Sequence, residues 1–520
     1  MNLHASQAEI DALECVLHRA APGEGVVATK VALAWHLRQR DSARTLHLVQ
    51  EVMPVVRAAR STTHGDAIAS CHARAALAAA EASALYDDVV EAERCLLDAR
   101  AHLNTVWDPQ AEGDIWMVES LVARSRGQGD RSMAALRQAS KSFERAEEHE
   151  RLEIARAWIF FETTLQHPQR KPGEEALLAP SGPAHAGTAR DAIRGAARAL
   201  ALSSRNPAAA TRAFGDAGEL ARACGLVLLE VTCMLEAGAA IHELGDYDRA
   251  ARCFDAAALR ARATGWPTLI VTCDMHFGAL LCDLGALDES RRMLEGAIDA
   301  LAARARGPLL ANAHAALART LLATKRTSGS LAQMDAAMTL LHAADSPRDL
   351  ALNLILQARV LGAAAQPARA VEALAEAQAL VDARGFDSMR VRLCQAQADL
   401  HHRFTLPPPP GMTLPTGALH FAEAALVHGR RLTGWNARAA LHDFLAERWA
   451  ETGDHQRAYA CARQALAAKE KETTQKMSYP LALLRVRRHA EVRAGPQRAS
   501  ESNTHGVPWN PGDRPRFSAR

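Results

Sequence analysis

"LGDYDRAARCFDAAALRARATGWP", residues 244–267, reads either as one isolated helical hairpin or as one unit of a longer array. Taken alone it is a helix with both ends marked. Gly245 and Asp246 break and cap the chain, and Ala250, Phe254, Ala257 and Ala261 then recur three or four residues apart on one face. Gly265 stops the helix and Pro267 lies just beyond it.

Laying the sequence against itself decides for the array. Ala217, Ala257, Ala297, Ala337 and Ala377 are each 40 residues apart, and three positions before them stand Phe214, Phe254, Leu294, Met334 and Leu374. The small residue admits a close neighbouring helix and the large one fills the space beside it, so these ten positions are expected to form a repeat-packing seam. Gly225, Gly265 and Gly385 keep the same phase, and Gly307-Pro308 and Ser346-Pro347 punctuate the units between. A second helix per unit fits in the remaining length, for example residues 267–285. The fold class expected is therefore all-α: a superhelical solenoid of antiparallel helix pairs with a period of 40 residues.

The pattern divides the chain. Residues 1–165 form an N-terminal helical block in which Leu96 and Ala99 are answered by Leu136 and Ala139. A Pro/Gly-rich loop is expected over 166–190, a central array over 191–402, a polyproline loop over 403–417, and helical pairs with a long charged helix over 418–493. A polar, Pro-rich tail, 494–520, is expected to be disordered. From Ala139 to Ala217 is 78 residues, two short of two repeats, so the superhelix is expected to continue through one distorted unit.

Leu244, Gly245, Tyr247, Ala250, Phe254 and Ala257 resemble the turn and second helix of a tetratricopeptide repeat (TPR), and Gly285 to Ala297 and Gly453 to Ala465 repeat the phrase more loosely. The period departs from the usual value of about 34, and HEAT-type pairs have similar lengths, but the LGDY turn is more specific to TPR. A second resemblance lies at the borders of the array. Residues 31–52 and 469–488 are similar to the edges of the TPR-like input region ahead of GGDEF diguanylate cyclase domains in bacteria. That resemblance implies signal input and a link to a GGDEF-type protein of cyclic di-GMP signalling. No GG[DE]EF sequence follows, so cyclase activity is not expected of this chain, which then reads as a stand-alone or truncated regulatory part.

Composition and motifs narrow the function further. Lys and Arg number 61 against 59 Asp and Glu, interspersed, which leaves no global field for nucleic acid or anionic lipid. Ten cysteines occur without a CxxC pair, and Cys233, Cys253, Cys273 and Cys282 fall on helix faces as small reduced core residues. The start lacks a basic segment followed by an apolar run, and glutamates break the apolar stretch 226–241, so a cytoplasmic location off the membrane is expected. No GxxxxGK[ST], GxGxxG, HExxH or GxSxG is present. His401-His402 lacks a ligand at helical spacing and reads as a surface pair, while Glu91, Glu93, Asp255 and Asp288 read as caps and solvated faces. Trp35, Trp116, Trp158, Trp266, Trp435 and Trp449 read as packing residues. No catalytic residue, metal ligand set or cofactor is expected.

What a solenoid does offer is a concave face lined by the first helix of each unit. Arg319 and Arg359 hold the same position in successive first helices, with Asn312 and Asn353 about two turns earlier. These four are the candidate residues for clamping a peptide backbone or carboxylate. The expected function is a non-catalytic protein-interaction or signal-input module whose groove binds a protein or peptide, with curvature adjusted by small rotations between repeats. The alternatives are a regulatory part of a diguanylate cyclase and a small-molecule sensor with a closed pocket between helices.

Overall fold

The computed structural model describes residues 3–19, 24–58, 65–103, 108–166, 188–203, 205–302, 307–344, 346–476 and 479–494. Most of the Pro/Gly-rich stretch 166–190 and all of the tail beyond Ala494 lie outside the described residues. Among the described residues there are 23 helices and no strand. In the N-terminal block these are α1 (Gln7–Arg19), α2 (Glu24–Leu37), α3 (Ser42–Ala58), α4 (Gly65–Leu85), α5 (Val89–Leu103), α6 (Pro109–Ser125), α7 (Gly129–Arg145) and α8 (His149–Gln166). The array continues with α9 (Ala189–Ser203), α10 (Pro207–Cys224), α11 (Val227–Glu243), α12 (Tyr247–Thr264), α13 (Pro267–Asp283), α14 (Leu287–Ala302), α15 (Pro308–Ala323) and α16 (Thr327–His342). It ends with α17 (Pro347–Ala363), α18 (Pro367–Arg384), α19 (Asp387–Arg403), α20 (Gly417–Arg430), α21 (Ala439–Glu451), α22 (His455–Lys476) and α23 (Tyr479–Ala494). No described helix is long and apolar enough to cross a membrane.

The quoted stretch is α12 with its two turns. Asp246 accepts from the Arg249 amide at 3.1 Å, which caps the helix, and Gly265 closes it in the left-handed conformation at φ 70°. Left-handed residues then recur 40 apart inside the units, at Gly245, Gly285, Lys325 and Ala365. Consecutive helices pack antiparallel, and first helices also touch first helices: α2 with α4, α4 with α6, and α11, α13, α15, α17 and α19 in series. That direct contact puts them at the smaller radius. The result is a TPR-like superhelical solenoid of antiparallel pairs.

All ten seam positions are buried, from Phe214 and Ala217 through Phe254, Ala257, Leu294, Ala297, Met334, Ala337, Leu374 and Ala377. For Phe254, Leu294, Met334 and Leu374 the counterpart on the preceding first helix is a small residue 16 positions earlier. A Cβ on Gly238 would lie 2.4 Å from Phe254 Cε1, and one on Gly278 would lie 2.7 Å from Leu294 Cγ. Ala318 and Ala358 take that place in the next two units and share a core with Met334 and Leu374.

Between α7 and α10 the described helices are α8 and α9, and α9 packs on both α8 and α10; residues 167–187, where the distorted unit is expected, lie outside the described residues. The small rotations between repeats expected to adjust curvature meet contacts that reach beyond neighbouring repeats. Tyr86 donates to the Thr264 carbonyl, Thr268 Oγ1 to Asp87 at 2.8 Å, Arg40 to the Ala223 carbonyl and Trp266 Nε1 to Ser42, across 178 to 224 residues. α23 returns onto α12, with Arg485 bound to Asp248 and Arg487 to Glu289. Successive superhelical turns are tied edge to edge, and this resists the change of curvature that independent repeats would allow.

Candidate functional site

The inner face carries rungs of polar side chains that join one first helix to the next, at separations set by the period. In the N-terminal block Arg38, just past α2, donates to Glu81 on α4 at 2.6 Å, and Gln39 reaches the other oxygen of Glu81 at 2.7 Å. Arg74 on α4 pairs with Asp114 on α6, and Arg151 on α8 reaches the second oxygen of Asp114 at 3.1 Å. Gln110 joins Arg74 to Glu148. Arg38, Arg74, Glu81, Asp114 and Arg151 are all buried, Asp114 completely. Glu148 also meets Arg151, at 3.3 Å, so three arginines face three carboxylates and the floor of the groove is a balanced ionic network. Trp35 lies against Arg38 and Arg74, at 4.1 and 5.3 Å, and Trp158 against Arg124 at 4.6 Å.

A cavity of about 50 Å³ opens on this floor, among Trp35, Arg38, Glu81, Asp114, Met117 and Trp158. The chain's own residues 3 and 4 form part of its wall. Ser6 and Glu9 form a reciprocal cap that starts α1, with the Ser6 amide bonded to Glu9 at 2.7 Å, and the cap directs Leu3–Ala5 into the groove. There Arg38 donates to the Leu3 carbonyl and Arg40 to the Ala5 carbonyl, each at 2.9 Å. Leu3 and Ala5 are buried. Burial and the adjacent Arg38 charge hold the His4 imidazole well below its usual value, and the same two causes lower His36 to about 4.

The four residues chosen from the sequence lie on a second stretch of the inner face. Arg319 on α15 donates to Asp283 on α13 at 3.4 Å and to the Ala279 carbonyl at 2.9 Å. Asp283 also lies 2.8 Å from His242 on α11. Burial pushes that carboxyl up, yet His242 and Arg319 outweigh it and hold it well below the carboxylate range. Asn353 donates to Asn312 at 3.0 Å, and Asn312 to Asp349 at 3.2 Å. Asn312, Asn353 and Arg319 are thus rungs between repeats. Arg359 on α17 is exposed and faces Asp399 of α19.

Other assignments change with the structure. His401 is half-buried against Phe421, so it departs from the expected surface pair, whereas His402 is exposed, beside Arg448 and Phe444. The ten cysteines are free thiols, and burial pushes Cys233 and Cys273 up to about 12. Trp35, Trp266 and Trp449 are buried, while Trp116, Trp158 and Trp435 are half-buried. Where the sequence led us to expect no metal ligand set, the fold brings His72 of α4 beside Asp98 and His102 of α5.

No protein-family model matches the chain, and no curated protein matches it. Solved structures similar to it include the APC/C hetero-tetramer Cut9-Hcn1, at 12% identity and TM-score 0.48, covering 96% of this chain and 99% of that one. The Rap conjugation gene regulator of plasmid pLS20, in complex with a peptide, is similar at 12% identity and TM-score 0.41, covering 71% and 96%. Aspartyl phosphate phosphatase F from Bacillus subtilis is similar at 10% identity and TM-score 0.39, covering 86% and 95%. At such identities and scores the likeness concerns the helical array and carries nothing about site or partner.

Proposed function

We propose that the chain is a non-catalytic TPR-like interaction module whose inner groove, at Trp35, Arg38, Arg40, Glu81, Asp114 and Trp158, binds an extended peptide segment. The observation that supports this most is that the groove already holds a short non-helical piece of backbone, Leu3–Ala5, by two arginine-to-carbonyl bonds. Carbonyl capture is indifferent to side chains, whereas the cavity beside it selects size and apolarity. The occupant expected is a short segment offering two backbone carbonyls with an uncharged residue between them. Asn312, Arg319, Asn353 and Arg359 extend the same inner face, and only Arg359 is exposed, so it alone offers a guanidinium to a longer ligand.

A small-molecule sensor needs a roomy apolar pocket; about 50 Å³ edged by buried charges is a poor one. Signal input in a bacterium, and a partnership with a GGDEF-type protein, rest on the resemblance of residues 31–52 and 469–488 alone, and a cytoplasmic location on the reading of the sequence's first residues and of 226–241.

Selection of a random peptide library on the intact chain tests the proposal. Enriched peptides should lose binding at least tenfold when Arg38→Ala is introduced and should compete with a free peptide of residues 1–9. Enrichment that ignores Arg38 would move the site elsewhere.

A further inference from the structure

α4 and α5 form an antiparallel hairpin closed at the turn Tyr86–Asp88. At its open end three potential ligands converge. His72 lies near the start of α4, and Asp98 and His102 stand one turn apart near the end of α5. One ligand atom from each lies within 4.8 Å of the other two. His72 Nε2 is 2.9 Å from Asp98 Oδ2, and the two imidazoles stack with centroids 3.6 Å apart and planes 11° from parallel.

The details suit a cation. His102 Nδ1 is 2.7 Å from the Asp98 carbonyl, and a carbonyl only accepts, so Nδ1 carries the proton and Nε2 is the lone-pair nitrogen. An imidazole held by its second nitrogen on a backbone carbonyl is the usual outer-shell arrangement of a metal-bound histidine. The stacked rings hold their lone pairs in nearly parallel planes, so one imidazole must turn out of the stack before both can meet a single ion. His72 and His102 are buried side chains, while Asp98 keeps 25% of its side chain exposed and forms the mouth through which an ion enters. Cys95 and Glu91 continue the face of α5 away from the cluster, hydrogen-bonded to each other at 3.4 Å.

We propose that His72, Asp98 and His102 form a binding site for a divalent transition-metal ion of the zinc and cobalt class, with water as the fourth ligand. Two imidazoles and one carboxylate are a donor set for such borderline ions rather than for calcium or magnesium. Tetrahedral donors sit about 3.3 Å apart around an ion at about 2.0 Å. Loading therefore requires the His72–Asp98 hydrogen bond to open with its proton lost from Nε2, one ring to turn out of the stack, and the groups to close by up to about 1.5 Å, within side-chain rotation. The bound ion would fasten the first turns of α4 to the last turns of α5, where no interhelical turn joins them.

The test titrates cobalt(II) into the intact chain and follows its visible absorption. One equivalent should develop the intense band of tetrahedral coordination, and zinc(II) should displace it. The chain has 22 histidines, so weak binding at exposed rings is the rival reading. Asp98→Asn, His102→Gln and His72→Asn should each weaken cobalt binding tenfold or more while leaving the far-ultraviolet circular dichroism of the metal-free chain unchanged. Asp98 stands at the mouth, so its variant decides the matter should either histidine variant fail to fold. Absence of a tetrahedral band, or a band of undiminished affinity in Asp98→Asn, would overturn the assignment.

Discussion

Replacing Gly238 by alanine separates the repeat seam from ordinary helix propensity. In an open helix the change is favourable by about 0.5–1 kcal/mol, because glycine loses more backbone freedom on folding. At Gly238 the added Cβ would meet Phe254 at 2.4 Å from Cε1 and 2.7 Å from Cδ1, and Cys253 Cβ at 3.1 Å. Carbon atoms pack at about 3.5–4.0 Å, so the ring must retreat by about 1 Å. It has little room, being wholly buried with Phe277 edge-on at 5.9 Å and His276 at 5.0 Å. Overpacking of this kind costs about 1–3 kcal/mol, which leaves a net loss of about 0–2.5 kcal/mol after the propensity gain. Gly215 is the control, since nothing lies within 4 Å of its Cβ position on α10. Gly215→Ala should stabilise, Gly238→Ala should destabilise, and Phe254→Leu combined with Gly238→Ala should cost less than the two single changes together. Denaturant midpoints followed by circular dichroism measure all four chains. Equal stabilisation by Gly238→Ala and Gly215→Ala would refute the seating of the large residue on the small one.

Other outcomes follow from the same structure. Asp114→Ala strands two buried arginines and should cost about 3–5 kcal/mol in denaturation, whereas an effect below about 1 kcal/mol would show the rung to be solvated. Ala365→Gly relieves a left-handed alanine at φ 56° and should raise the midpoint by up to about 1 kcal/mol, which the same assay reads directly. His36 and His276 are each lowered by burial to about 4, so their contribution is complete above pH 6.5 and is lost as pH falls from 6.5 towards 4. Each is worth at most about 3 kcal/mol, and His36→Gln and His276→Gln should flatten the pH dependence of stability in that window. Arg319→Ala removes a partner of Asp283 and should cost about 1 kcal/mol, while Arg359→Ala, exposed, should leave stability unchanged; parallel melts compare them.

The 40-residue period was legible because a large and a small residue mark the same buried seam in five successive units, and Asp246 and Gly265 bracket one helix by local chemistry alone. Turns at Lys325 and Ala365 were harder to see, since tertiary packing holds a left-handed backbone there without a glycine. Period placed Asn312, Arg319, Asn353 and Arg359 on first helices, but their partners depend on the rotation of one helix against the next, which brings Asp283 to Arg319 across 36 residues. The N-terminal groove was missed although Ser6 and Glu9 carry a capping signature, because nothing local says where the residues before a cap will lie. Likewise Asp98 and His102 show helical spacing, and only the packing of α4 on α5 supplies His72.

The central claim is that the inner groove recognises backbone carbonyls of a short peptide segment, and fluorescence anisotropy with a labelled peptide of residues 1–9 tests it most directly. A chain starting at Ser6 should bind that peptide saturably, the intact chain at least tenfold more weakly because Leu3–Ala5 fills the site, and the shortened chain carrying Arg38→Ala not at all. Equal binding by the intact and shortened chains, or binding that survives loss of Arg38, would contradict the account.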